Sequence, residues 1–416
     1  MNRSRLLTIF FIVFVDMLGF SLILPLLPYY AESFGATAAV VGFLVASYAA
    51  AQLIGSPILG RLSDRYGRRP VLLFSVAGTF IGFLLLGFAE PVGRALAGLF
   101  APTAANAFIL AVLFVSRMLD GLTGGNITVA QAYIADITDE SNRAKSLGMI
   151  GAAFGLGFII GPATGGLLSQ WGYNLPALAA AGVAFMNLIL IYFLLPESLT
   201  AELRDSAAAN RKPAFTVNAL FEALKRPGVG PLLHIRFFYG LAFVLFQNIF
   251  SLFAQAIGLS SQTTGYVLAY VGILSVVTQV GLIAPLTKRY RENALIITGL
   301  WIMGLSLFAW AFTRELIPLL IVLLPMSLSG GVLNTVIQSS ISKSVSHEEV
   351  GGMLGISSSL EAFTRVIGPT IGGLLLERLG VWAPGVFSAV LMAWVVLFTY
   401  RRVILPSKKE RLAQTV

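Results

Sequence analysis

Gly60-Arg61-Leu62-Ser63-Asp64-Arg65-Tyr66-Gly67-Arg68-Arg69-Pro70 is a charged stretch wedged between two apolar runs, each long enough to cross a bilayer. Its arginines surround one acid, Asp64, and glycines stand at Gly60 and Gly67, where a tight turn would need them. Cytoplasmic loops of membrane proteins accumulate Lys and Arg, so such a turn belongs on the inner side of a membrane. The stretch predicts a polytopic membrane protein.

The composition agrees. Of 416 residues 57% are hydrophobic and 11% charged, and the mean hydropathy is +0.85. That is too little polar surface for a soluble chain of this length. The apolar residues arrive in runs of about 18–25, the length that spans a ~30 Å hydrocarbon layer. The sequence predicts twelve spans, at 6–27, 38–59, 70–88, 106–136, 142–168, 176–195, 231–255, 263–285, 293–312, 316–341, 351–376 and 380–403. Barrel strands would alternate over about ten residues, so unbroken runs mean helices and an all-α membrane fold. Residues 89–105 read as a long outer loop.

The net charge of +9 does not mark a nucleic-acid partner. With odd-numbered helices running outward, roughly 22 of the 28 Lys and Arg fall on one side, while Arg94, Arg314 and Arg378 fall on the other. The basic side includes Arg3, Arg5, Arg143, Lys145, Arg211, Lys212, Lys288, Arg289 and the tail beyond Arg401, so both termini are expected in the cytoplasm. Asp16 in the middle of the first run, with no small-residue cleavage site after it, argues for a retained span over a signal peptide. The absence of cysteine excludes thiol chemistry, disulfides and Cys-bound metal. His234 and His347 are too few for a His cluster, so neither metal nor cofactor is expected.

The longest polar stretch, 196–230, separates six spans (1–195) from six (231–416). Within it Phe215, Val217, Leu220, Phe221 and Leu224 alternate with Glu222, Lys225 and Arg226, which suits either a short amphipathic helix on the inner surface or a solvated linker. An internal repeat supports the division. Leu147 to Leu168, containing Gly161-Pro162-Ala163-Thr164-Gly165-Gly166, aligns without gaps on Leu354 to Leu375, containing Gly368-Pro369-Thr370-Ile371-Gly372-Gly373. The offset is 207 residues throughout, and it also places Gln131 on Gln338. Parallel repeats joined by a long linker are the organisation of a rocking transporter with its site between the repeats.

Ionisable residues inside the spans need a partner or a watery cavity, because each costs at least ~2.5–3.5 kcal/mol at the bilayer centre. Asp16 lies near the middle of the first span, and Arg117, with Asp120 one turn on, lies in the fourth. Glu361 and Arg365, spaced i,i+4, share one face of the eleventh. Each set reads either as a neutralised structural bridge or as a proton-coupling site, in which a carboxylate exchanges a proton as a nearby Arg or a substrate moves. Asp16 is the first choice as proton carrier, Arg117 its modulator, and Glu361 with Arg365 the second. Gln52, Asn126, Gln131, Gln247, Asn248, Asn334 and Gln338 carry reorientable amides, and Phe237, Phe238, Phe243, Phe246 and Phe250 enrich the seventh span. One by one these suit helix packing; as a group they suggest a cavity for an amphiphilic substrate.

Taken together, these features resemble the twelve-helix drug:proton antiporters of the major facilitator superfamily, including tetracycline/proton antiporters, over almost the whole chain. Gly60, Asp64, Arg65, Gly67 and Arg68 match the loop between helices 2 and 3. The resemblance implies that Asp64 and Arg68 form a cytoplasmic gate with Asp136. Ser116-Arg117-Met118-Leu119-Asp120-Gly121-Leu122-Thr123-Gly124 resembles the helix 4 motif, whose arginine is implicated in proton transfer. Gly157, Gly161, Pro162, Gly165 and Gly166 resemble the helix 5 antiporter motif, in which glycines permit close helix contact and proline a bend. Asp16 with Gly19, Pro25 and Pro28 resembles helix 1 of the tetracycline exporters. The chain departs from those exporters in having no acid or histidine in 263–285, and in carrying Glu361 and Arg365 where small or amide residues are expected. That puts tetracycline itself in doubt as substrate.

The resemblance implies a monomer in a bacterial cytoplasmic membrane, exporting an amphiphilic small molecule in exchange for protons. A symporter or uniporter for a sugar or organic acid is the alternative. A membrane-embedded enzyme would need a nucleophile–base pair or metal cluster within the spans, and the chain offers none.

Overall fold

The computed structural model describes residues 3–138, 140–199, 217–346 and 349–405. Of the features singled out above, Arg211, Lys212, Phe215, His347 and the basic tail from 406 onward lie outside the described residues. The protein is all-helical, and among the described residues eleven helices are long and apolar enough to cross a membrane.

In chain order the helices are α1 (Arg3–Ile23), α2 (Leu27–Glu32), α3 (Ala38–Tyr66), α4 (Arg68–Gly87), α5 (Ala89–Phe100), α6 (Ala105–Thr123), α7 (Asn126–Ile137), α8 (Glu140–Leu168) and α9 (Asn174–Leu194). There follow α10 (Val217–Lys225), α11 (Val229–Ala256), α12 (Ser261–Val277), α13 (Ile283–Arg289), α14 (Glu292–Phe312), α15 (Leu316–Lys343), α16 (Val350–Leu379) and α17 (Ala383–Thr399). The chain divides into two compact units. One comprises Met1–Lys212 with Ala254–Gly272, the other Pro213–Phe253 with Ile273–Val416.

Three expectations are corrected. The charged stretch Gly60–Pro70 is not a loop: α3 runs through Gly60 to Tyr66, and the chain breaks only at Gly67. Nothing from Arg61 to Tyr66 disfavours helix, whereas Gly67 takes φ +108, a region L side chains avoid. The expected span 106–136 is present, within the apolar stretch Pro102–Ile137, but as two helices parted at Gly124 and Gly125. The expected outer loop 89–105 is mostly helical, as α5 and a 3₁₀ turn over Pro102–Ala104. The polar middle of the chain does contain a helix, α10.

The repeat seen in the sequence is also a repeat of packing. In the first unit α8 lies on α1, and Gly157, Gly161 and Gly165 meet Met17, Ser21 and Leu22 with no room for a Cβ. The contact is close enough for the Ser21 hydroxyl to donate to the Gly157 carbonyl at 2.8 Å. An adjoining face of α8 meets α12, where Gly265 lies against the Pro162 carbonyl and Gly272 against that of Phe158. In the second unit α16 lies on α11 in the corresponding way, with Gly368 against Val244 and Gly372 against Leu245 and Ile249. Small residues let helix backbones approach, and in lipid that dispersion contact is a principal source of helix association.

Around these contacts the first unit packs a core of Leu6, Ile9, Val13, Leu72, Val76, Tyr133 and Ile191. The second buries Trp310 against Phe246 and Phe253. Large apolar side chains such as Phe193 (73% exposed) and Val280 (81%) stand on the outside, as a lipid-facing surface requires.

Candidate functional site

Asp16 is half-buried in the middle of α1, at the meeting of two small clefts in the first unit. Both are also lined by Asn126, whose Nδ2 donates to Asp16 Oδ1 at 2.6 Å. Asn126 reaches α1 because it opens α7 just after the break at Gly124 and Gly125. Carbonyls freed by that break must be satisfied locally in a membrane. Gln52 Nε2 and Ser56 Oγ each donate to the Gly124 carbonyl at 3.1 Å, and the Ser75 hydroxyl sits between the Thr123 carbonyl and Asn126 Oδ1. Three polar side chains from two helices, α3 and α4, thus hold an interrupted one.

Asp120 lines the larger cleft as well and is only 2% exposed. Its partner is Arg117, one turn back on α6, with Nη1 to Oδ2 at 3.2 Å. Arg117 is 3% exposed, and its Nε and Nη2 have no hydrogen-bond acceptor. Its guanidinium lies instead 5.3 Å from the ring centre of Phe83 and 6.0 Å from that of Tyr48. Aromatic faces attract a cation electrostatically and partly replace the missing acceptors. Arg117, expected beside Asp16, is ion-paired with Asp120 instead, and Asp16 accepts its hydrogen bond from Asn126. With both acids ionised the three groups carry one net negative charge, and one proton makes the set neutral.

A second polar cluster closes one end of the same unit. The Arg68 side chain, 7% exposed, bridges Asp64 Oδ1 at 2.5 Å and Asp136 Oδ2 at 3.0 Å and also donates to Ser63 Oγ at 2.7 Å. Asp136 accepts in addition from Ser198 Oγ at 2.9 Å. Beside it the Glu197 carboxylate accepts from the backbone N–H of Arg68 at 2.8 Å and of Arg69 at 3.1 Å. It therefore caps the start of α4, where a helix has unpaired donors and a partial positive charge. Gly67 packs on that carboxylate, while Gly60 has only Thr128 nearby, at 3.6 Å from a built Cβ. Arg65 is exposed and lies 5.3 Å from the ring centre of Tyr66.

In the second unit Glu361 is held by two arginines. Oε2 accepts from Arg236 Nη2, and Oε1 accepts from Arg365 Nη2 at 2.7 Å. Arg236 Nη1 donates to Asn334 Oδ1 at 2.5 Å. Phe243 is half-buried and stacks on Tyr239 with ring centres 6.0 Å apart, and Gln247 is half-buried one turn on. Asn334 and Gln338 are exposed on one face of α15, and Gln131 is exposed on α7. Phe246 and Phe250, counted with the cavity aromatics in the sequence, are core residues at 4% and 0% exposure. Asn248 spends its amide on the Val244 carbonyl of its own helix at 2.9 Å. Among the described residues no group of three or more His, Cys, Asp or Glu side chains is placed to hold a metal ion.

The family model described as Major Facilitator Superfamily matches residues 9–289 and again 232–415. The chain belongs to the major facilitator superfamily. Tetracycline resistance protein, class C, of Escherichia coli is 31% identical over 416 residues, spanning 98% of this chain and 97% of that protein. Multidrug resistance protein 2 of Bacillus subtilis (strain 168) is 28% identical over 386 residues, spanning 91% and 90%. Among solved structures the nucleoside transporter NupG superposes with a TM-score of 0.75 at 11% identity, covering 96% of this chain and 100% of that one. At that identity the likeness bears on the fold alone.

Three residues of this major facilitator's polar clusters escaped the sequence reading. Asp120 was noted only as a neighbour of Arg117, and its i,i+3 spacing was the available signal. Arg236 is not singled out by the sequence, since its acid partner Glu361 is 125 residues away. Glu197 follows an apolar run at the start of the polar stretch, where an acid draws no attention. Its role exists only once α9 returns to the start of α4.

Proposed function

We propose that this major facilitator is a proton-coupled antiporter exporting amphiphilic small molecules across a bacterial cytoplasmic membrane by alternating access. The observation that carries the reading is a cleft lined by two carboxylates, Asp16 and Asp120, with Arg117 ion-paired to one of them. The names of the tetracycline and multidrug resistance relatives support drug export. Asp16 is the proton carrier, because its bond from Asn126 is replaceable whereas Asp120 is held by Arg117. A proton entering the set removes its one net charge. Release of that proton to the cytoplasm restores the charge as substrate binds, proton entry from outside accompanies substrate release, and one elementary charge moving through 100 mV supplies about 2.3 kcal/mol.

In this reading α16 is the twelfth span. Its serines, Glu361 and Arg365 lower its apolarity, but it is the repeat counterpart of α8. Excess Lys and Arg in the loops put both termini in the cytoplasm. The six-helix bundles are 1–195 and 231–416, and Asp64, Arg68 and Asp136 form the cytoplasmic gate. The transporter acts as a monomer.

Proton movement in everted vesicles tests the reading. After respiration acidifies the interior, a panel of amphiphilic drugs is added and internal pH is followed by dye fluorescence. Drug-triggered alkalinisation in wild type, lost in Asp16→Asn, is expected. Retention in Asp16→Asn with loss in Asp120→Asn would move the carrier to Asp120. Proton-driven uptake of sugars or organic acids into intact cells, with no drug response, would replace antiport by symport.

A further inference from the structure

The charges inside the second unit do not cancel. Away from helix ends, its described helices carry three charged side chains: Arg236 on α11, and Glu361 and Arg365 on α16. Both oxygens of the one carboxylate are already taken, Oε2 by Arg236 and Oε1 by Arg365. Asn334, the remaining partner of Arg236, is neutral. The cluster is therefore left with one positive charge. The two guanidiniums differ in access. Arg236 is 8% exposed, with a buried Nε that has no acceptor, while Arg365 is 53% exposed.

Arg365 lies midway along the 30-residue α16, so its exposure is not that of a helix end at the membrane surface. A guanidinium at that depth is costly against hydrocarbon and faces water or a polar ligand instead. The neighbouring surface agrees. Ser358, two turns before Arg365 on α16, is exposed, as are Asn334 and Gln338 on α15.

We propose that Arg365 is the docking point for the anionic group of a transported amphiphile. The ligand class is an organic monoanion, a carboxylate joined to an apolar body. A planar carboxylate matches the free edge of a guanidinium through two parallel N–H···O bonds. One negative charge neutralises the cluster, whereas a second would exceed it and a cation would be repelled by it. Arg236 acts from behind: by sharing Glu361 it keeps that carboxylate from fully neutralising Arg365. This names a substrate class for the transporter proposed above and rests on that reading, but it is tested by binding alone, without proton movement.

The full chain, purified in neutral detergent, is titrated with 2-naphthoate, decanoate and 4-phenylbutyrate, and with the carboxamide of each. Binding is read by calorimetry, and folding of each variant by tryptophan fluorescence. At least one acid should bind about tenfold more tightly than its amide, a difference of ~1.4 kcal/mol. Arg365→Gln should bring that ratio to about one. Glu361→Gln frees a second guanidinium and should strengthen carboxylate binding, the reverse of what a purely structural bridge would give. Should Glu361→Gln not fold, Arg365→Lys keeps the charge but loses the fork, and should retain a reduced preference for acid over amide.

Equal or undetectable binding of acid and amide in all three pairs overturns the proposal, and so does a preference that survives Arg365→Gln. A preference for phosphatidylglycerol over phosphatidylcholine, with none for acid over amide, would assign Arg365 to lipid headgroups instead. Loss of acid preference alongside intact drug-triggered alkalinisation in vesicles would remove the substrate class and leave antiport standing.

Discussion

Replacing Arg68 with alanine should destabilise the first unit by about 3 kcal/mol, and the size of the effect follows from which acid is left behind. The Arg68 side chain is 7% exposed and serves two carboxylates of very different exposure, Asp64 at 53% and Asp136 at 13%. Losing the exposed pair costs under about 1 kcal/mol, because water takes over the solvation of Asp64. Losing the buried pair leaves Asp136 with the Ser198 hydroxyl but no cation, and breaking such a pair costs ~3–5 kcal/mol. The lower end applies, since Asp136 is not fully enclosed. Reversible unfolding in mixed micelles, followed by the fluorescence of the five tryptophans, measures the change. The decisive comparison is the double variant Arg68→Ala, Asp136→Asn. Removing the stranded charge should recover about half of the loss, because the penalty belongs to the unpaired carboxylate more than to the missing contact. A loss below ~1 kcal/mol in the single variant, or no recovery in the double, would refute this account of the cluster.

The two glycines of the same stretch should behave differently. Gly67→Ala should cost ~1–3 kcal/mol from its positive φ and the displaced Glu197 carboxylate, whereas Gly60→Ala, inside a helix with open space, should be neutral or slightly stabilising in the same unfolding assay. Ser21→Ala removes the hydroxyl bond from α1 to α8 and should cost about 0.6 kcal/mol, the usual worth of an interhelical hydrogen bond in a membrane protein. Outside the spans, hydrogen bonds from Arg226 and then Ser346 hold the exposed Glu349 carboxyl at about 2, below its ordinary 4.5. Its contribution is thus complete above about pH 4.5 and lost as pH falls toward 2. Hydrogen exchange across 217–226, corrected for intrinsic rates, should show protection declining through that window in wild type. Glu349→Gln should show no such step.

Much of the fold was legible because membrane insertion imposes a local rule. A span must be long, apolar and internally hydrogen-bonded, and each of these is written in consecutive residues. The repeat was legible for a similar reason: Gly161, Pro162 and Gly165 recur as Gly368, Pro369 and Gly372, and close helix contact tolerates few other residues. The break between α6 and α7 was missed because apolar flanks carry the hydropathy signal straight across Gly124 and Gly125. What makes that interruption tolerable is supplied from elsewhere, by Gln52, Ser56 and Ser75. Gly60 was read as a loop residue because charge was taken for a turn, although charged residues continue a helix readily once it leaves the apolar layer.

By itself, then, the sequence determined an all-helical membrane protein, the halves of its repeat and the ionisable residues that its spans would have to accommodate. Only the tertiary structure decided the partners: Asn126 for Asp16, Asp120 for Arg117, Arg236 and Arg365 together for Glu361, and Glu197 for the start of α4. The reason is physical. Burying an apolar run is favourable against any apolar neighbour, so its fate can be read from composition alone. A buried charge is tolerable only against a particular group at a particular distance and angle, and three of these four partnerships join separate parts of the chain that meet only when it folds.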